Sequence, residues 1–247
     1  MQNLYLGFKF AFSYFSILPV NFKTSDDLSK KEILNAMLLN LPFVGLILGL
    51  GTIVLFTFLS HLGGYGAIVS AIFYMVLYGF IHTEAIMDVA DGIYAKHSGK
   101  DAYAIIKEPT VGAMGVFYGM AAMLLKLSSI VMLFTHGLLL EFLSVVIISR
   151  FSLLPLFILH DFRSSFGTQL KQSLNHWSVM MLFILLTIIG SFLMGSFIIF
   201  LIMGVLIAFG LSVWISLKLG FTNGDVLGAT LEGVEIILFL LVILLWH

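Results

Sequence analysis

The sequence contains no cysteine, which excludes disulfides, thiolate catalysis and cysteine-ligated zinc or iron–sulfur clusters. It is also poor in charge: Asp, Glu, Lys and Arg make up 10% of its 247 residues, against roughly a quarter in an ordinary soluble domain. With 60% hydrophobic residues and a mean hydropathy of +1.12, the chain reads as an integral membrane protein. A secretory leader is lacking too, because the first apolar stretch is interrupted by Lys9 and runs into Leu18-Pro19-Val20 without a small-residue cleavage site. The N-terminus is therefore expected to be retained. A net charge of −1 points to no partner, so the information lies in where the few charges sit.

Apolar windows near the ~20 residues needed to cross the hydrocarbon layer predict seven spans, at about 37–59, 65–87, 111–134, 138–159, 177–196, 197–217 and 226–246. The fifth and sixth form one apolar block in which Gly190, Ser191 and Gly195 permit a tight reversal. Three loops, around His61–Gly64, Thr135–Gly137 and Gly190–Gly195, lack Lys and Arg altogether. All of the 12 basic residues except Lys126 and Arg150 fall in the alternate loops and the N-terminal segment. Cytoplasmic loops collect such residues, so the N-terminus and these loops are assigned to the cytoplasm and Trp246-His247 to the far side. Residues 2–20 are aromatic and amphipathic but short of a span, and read as an interfacial or re-entrant helix ended by Pro19. The expected fold is all-α: one transmembrane domain over residues 1–247, a polytopic bundle of about seven helices plus that N-terminal helix. No repeat or linker divides it.

Against so apolar a background the acids are conspicuous. Glu84, Asp88 and Asp91 are spaced i, i+4, i+7 at the end of the second span, and at ~100° per residue they share one helical face. Three carboxylates on one stripe repel each other unless a cation lies among them. Their hard oxygens suit Mg²⁺, which keeps several waters and takes further ligands from substrate phosphates. Glu108 lies in the next loop, and Asp225 opens the seventh span with Glu232 seven residues on and Glu235 beyond. Nearly all these acids are predicted to converge on one cytoplasm-facing cavity, Glu232 and Glu235 reaching it from inside the membrane. His82 is a candidate partner of the stripe, whereas the glycines of Gly45-x-x-x-Gly49 read as helix packing. Gly112 and Gly115 permit either packing or close approach to a phosphate. On these residues alone, a Mg²⁺-dependent membrane phosphotransferase and a cation-coupled transporter both remain open.

Several spaced segments together resemble the adenosylcobinamide-GDP ribazoletransferases, also called cobalamin-5′-phosphate synthases. The main one is His82-x-Glu84-x-x-x-Asp88-x-x-Asp91-Gly92, followed by Ile106-Lys-Glu-Pro-Thr-Val-Gly-Ala-Met-Gly115. Leu219-Gly-Phe-Thr-Asn-Gly-Asp-Val-Leu-Gly-Ala229 is similar to the family's C-terminal motif, and Phe15–Val20 and Leu41–Leu46 to its N-terminal ones. The chain departs from the family pattern where Glu84 and Glu108 replace aspartates, Ala85 a glycine, Ile17 and Thr110 arginines, and Pro109 a serine. Two cations suited to phosphate are thus absent, leaving Lys107, Arg150 and Arg163.

The resemblance implies a transferase that joins α-ribazole or its 5′-phosphate to adenosylcobinamide-GDP, releasing GMP. It implies Mg²⁺ held by Glu84, Asp88, Asp91 and Asp225, with Asp88, Asp91, Glu108 and Asp225 around the reacting groups. Substrate would be bound by His82, Lys107, Arg150, Arg163, Gly112, Gly115 and Asn223. The implied location is the cytoplasmic (inner) membrane of a bacterium or archaeon, with the site facing the cytoplasm. The implied partners are the two small-molecule substrates and the lipid bilayer; a homo-oligomer is allowed and nucleic acid is not expected. The CDP-alcohol phosphotransferases are the nearest alternative, but their motif has an Ala-Arg pair and wider aspartate spacing than the three residues found here. A coupled transporter would require related halves and midplane polar residues.

Overall fold

A chain inside an apolar layer has no water to satisfy its backbone, and the helix satisfies it locally. The computed structural model describes residues 2–246, and among them helices are the only regular elements. In chain order they are α1 (Gln2–Phe15), α2 (Lys31–Leu39), α3 (Leu41–Leu59), α4 (Gly64–Leu77), α5 (Ile81–His97), α6 (Ala102–Ile106) and α7 (Ala113–Thr135). There follow α8 (Leu139–Phe151), α9 (Leu154–Leu159), α10 (Ser165–Ser173), α11 (His176–Leu193), α12 (Phe197–Leu219) and α13 (Gly224–Trp246).

Six segments are long and apolar enough to cross a membrane: Leu41–Leu62, Ala113–Thr135, Leu139–Leu159, His176–Leu193, Phe197–Leu219 and Gly224–Leu245. The third and last of these are 83% and 72% buried, against 22–33% for the other four, so they form the centre of the bundle. The apolar block divides where its small residues permit, α11 ending at Leu193 and α12 starting at Phe197. Gly45 packs α3 against α8 so closely that a Cβ there would stand 2.7 Å from the Arg150 side chain and the Val146 carbonyl.

The second predicted span is present but broken. Helices α4 and α5 together are long and apolar enough to cross, yet they meet at 76°. The turn runs through Gly79 and Phe80, both at positive φ (66° and 55°). Breaking a helix strands carbonyls, and here the Ile17 N–H donates to the Leu77 carbonyl at 2.9 Å. The segment after α1 thus seals the break. After Met87 the chain leaves the apolar stretch, and α5 emerges carrying its acids.

At 14 residues, α1 is too short to span. It buries Leu6, Ala11 and Phe12 and exposes Leu4, Tyr5 and Tyr14, as an interfacial helix does. Helices α2 and α10 pack beside it at the end of the bundle where the basic loops meet. There the Asn175 N–H donates to Asn35 Oδ1 at 2.9 Å, and the Arg163 N–H donates to the Thr222 carbonyl at 2.9 Å.

Candidate active site

Helix α5 packs against both α13 and α7, and at the corner between them Asp91 is bonded to the start of α7 and Asp88 lies near Asp225 at the start of α13. Asp88 is half-buried there. That burial, with Asp225, Glu84 and Asp91 nearby, raises its carboxyl from the usual 3.8 to about 6, with Lys107 opposing the shift. Glu84 is exposed one turn earlier on the same face.

Asp91 is tied down. Its Oδ2 accepts the Gly112 N–H at 2.6 Å and its Oδ1 the Gly115 N–H at 2.7 Å, so it satisfies two of the orphan donors that open α7. A Cβ on Gly115 would lie 2.4 Å from Asp91 Oδ2 and 2.8 Å from the Met87 carbonyl, so only glycine permits the approach. The two glycines of the second motif therefore serve the third acid of the first.

Asp225 is supported differently. The cap of α13 is Asn223, whose Oδ1 accepts the Val226 N–H at 3.1 Å. Its Nδ2 donates to Asp225 Oδ2 at 2.6 Å. Capping thus falls to the asparagine and leaves the aspartate to face Asp88. Although part of the Tyr14 ring is exposed, partial desolvation of its phenol, reinforced by the Asp225 carboxylate, pushes its pKa up, which places α1 beside the same corner.

The remaining candidates sort by depth. Lys107 and Asn223 border the cavity next to Asp225, and buried His82 forms part of its wall, stacked between Tyr78 and Phe15 at 5.5 and 6.2 Å. At the rim the Arg163 guanidinium lies 3.8 Å from the Tyr103 ring centroid. Glu108 is exposed in the turn after α6. Arg150 is elsewhere: it is 3% exposed and paired with Glu235, on the far side of His82 from solvent. Among the described residues no three His, Asp or Glu side chains are close enough to form a complete metal cage.

A family model, cobalamin-5-phosphate synthase, matches residues 7–244. The chain belongs to that family. Among curated relatives it is similar to the adenosylcobinamide-GDP ribazoletransferase of Clostridium perfringens (strain SM101 / Type A), at 27% identity over 95% of this chain and 96% of the relative. The enzyme of the same name from Brevibacillus brevis is 26% identical over 97% and 98%, and that from Chlorobium phaeovibrioides 30% identical over 72% and 75%. No solved structure matches.

In this cobalamin-5-phosphate synthase family member, Glu232 and Glu235 do not join the cavity as their helical spacing suggested. Lys126 Nζ lies 2.8 Å from Glu232 Oε2 and 2.6 Å from Glu235 Oε2, and Arg150 pairs with Glu235 Oε1. The Tyr74 and Ser149 hydroxyls donate to Glu235 Oε1 at 2.9 and 3.0 Å, and Lys126 donates to the Tyr78 hydroxyl at 3.1 Å. Charge at this depth persists only where it is paired, so these groups lock α4, α7, α8 and α13 together beneath the site. The signal for it was in the sequence: Lys126 and Arg150, the two basic residues outside the loops, match two intramembrane acids in number.

Proposed function

We propose that the protein joins α-ribazole, or its 5′-phosphate, to adenosylcobinamide-GDP, releasing GMP and forming adenosylcobalamin or its 5′-phosphate as a closing step of cobalamin assembly. The observation that carries this reading is the family match across residues 7–244, and it is supported by the electrostatic proximity of Asp88 on α5 to Asp225 on α13.

In the reaction a ribose hydroxyl attacks the cobinamide-side phosphorus of the pyrophosphate. The new O–P bond forms, the bridging P–O bond breaks, and GMP departs with the bridging oxygen. Lys107, beside Asp225 at the cavity mouth, is placed to neutralise charge on the phosphates, and Arg163 to steady the nucleotide at the rim. A carboxylate of the corner takes up the hydroxyl proton.

The donor set suits Mg²⁺. The corner offers hard oxygens, and Asp88, raised first by burial and then by the carboxylates of Asp225, Glu84 and Asp91, has negative charge on several sides. An incomplete protein cage is what Mg²⁺ normally uses, since one or two carboxylates are supplemented by water and substrate phosphate. One or two carboxylates drawn from Glu84, Asp88, Asp91 and Asp225 would hold it together with water and substrate phosphate, and when bound it supplies charge neutralisation on the phosphoryl oxygens and leaving phosphate. The basic loops at the same end of the bundle support a site facing the cytoplasm from a prokaryotic inner membrane.

The test is reconstitution. Purified protein in lipid, given adenosylcobinamide-GDP, is expected to release one GMP per cobalamin product when α-ribazole or its 5′-phosphate is added. Release of no GMP with either nucleoside would refute the proposal.

A further inference from the structure

The cavity beside Asp225 has two chemically different ends. Its mouth is polar, with Lys107, Asn223 and Asp225 together. Its interior is aromatic and aliphatic. Phe157 and Phe162 stack with centroids 5.4 Å apart, Tyr14 and Phe166 lie 5.7 Å apart, and Leu153 and Leu170 also line the cavity. The Ser164 hydroxyl inside is already used, accepting the Gly167 N–H at 3.2 Å. Phe157, Phe162, Phe166 and Leu170 belong to α9, α10 and the segment before α10, to which no motif assigned a role, and they face motif residues such as Phe15 and His82 across the cavity.

Size and polarity decide the occupant. The cavity holds about 310 Å³, at the small end of the roughly 300–1,000 Å³ of ligand pockets. A corrin with its amide side chains does not fit in that space. A guanine fits by size, but away from the polar mouth only His82 and Ser164 offer polar atoms, and most of its donors and acceptors would lose water to walls of phenylalanine and leucine. A benzimidazole-type base is flat, largely apolar and suited to ring contacts on both faces.

We infer that this cavity seats the apolar base of the incoming nucleoside, with the ribose at the polar mouth. Placed so, the base fixes the ribose hydroxyls at the Asp88–Asp225 corner, and the nucleotide and corrinoid of the other substrate lie outside the cavity. Phe157, Phe162 and Phe166 then determine which bases are accepted. This inference rests on the proposed reaction.

Two measurements test it, both by steady-state GMP release in lipid. In the unaltered protein, free 5,6-dimethylbenzimidazole is expected to inhibit competitively against α-ribazole but not against adenosylcobinamide-GDP. In the variant Phe166→Ala, the KM for α-ribazole is expected to rise about tenfold. The KM for adenosylcobinamide-GDP and inhibition by GMP should stay within about twofold. Competition of the free base with adenosylcobinamide-GDP, no inhibition by it, or a variant in which the two KM values move together would overturn the assignment. If the unaltered protein releases GMP and these results fail, only the pocket assignment falls; if it releases none, the reaction and the pocket fall together.

Discussion

Asp88 and Asp91 are three residues apart on one helix, yet their surroundings give them opposite sensitivities. Asp88 is crowded by carboxylates, so Asp88→Asn is expected to cut turnover roughly a hundredfold or more while leaving the cation-free protein as stable or more stable. Asp91 accepts two backbone N–H groups, and asparagine offers one acceptor and turns its amide hydrogens on the other donor. Asp91→Asn should therefore lose activity and also about 1–3 kcal/mol of stability. Thermal unfolding of the two variants in lipid, side by side, separates them; equal shifts would contradict the different roles.

The raised carboxyl of Asp88 adds a pH dependence. Its proton affinity is higher in the folded protein than in the unfolded chain, so between about 6 and the usual carboxylate range the folded state binds the extra proton. The cation-free protein gains stability from this group as the pH falls through about 6, and loses that contribution as it rises. Proton and Mg²⁺ compete for the same oxygens, so the Mg²⁺ concentration giving half-maximal activity is expected to rise as the pH drops below about 6. A half-maximal concentration unchanged between pH 5 and 7.5 would exclude Asp88 from cation binding. The stripe itself was legible from i, i+4, i+7 spacing, because helical period is a local property. The partners of Asp91 were not, since Gly112 and Gly115 reach it only after the intervening loop and α6 fold back.

Among the elements, the long apolar helices and the reversal between α11 and α12 were readable from hydropathy and small residues, whereas the short polar helices α6 and α10 lay in what read as loops. The 76° break between α4 and α5 was not, because the apolar pattern runs through it and the stranded Leu77 carbonyl is satisfied by Ile17, 60 positions earlier. The charged cluster beneath the site is a similar case: helical spacing gave Glu232 a face, but only packing shows that Lys126 of α7 lies on it. Lys126→Met should leave buried carboxylate charge uncompensated and destabilise the bundle by about 3–5 kcal/mol. Adding Glu232→Gln should recover much of that loss. A double variant no more stable than Lys126→Met would show that the pair is not the coupling.

At the scale of the whole molecule, the alternation of basic and uncharged loops assigns the ten loop and N-terminal Lys and Arg to the end of the bundle expected to carry the carboxylates. A reporter inserted within Lys96–Lys100 is expected on the cytoplasmic side and one fused after His247, beyond the described residues, on the opposite side. Reporters on one side would mean an even number of crossings between them, with one of the five apolar segments from Ala113 to Leu245 not completing a span. A cation held at the Glu84, Asp88, Asp91 and Asp225 corner is expected to support GMP release, and a Mg²⁺ titration of chelator-stripped protein in lipid, with adenosylcobinamide-GDP and α-ribazole saturating, measures this. No GMP is expected without Mg²⁺, saturable release on adding it, and no rescue of Asp88→Asn at any concentration; undiminished release from the stripped protein would rule out the cation.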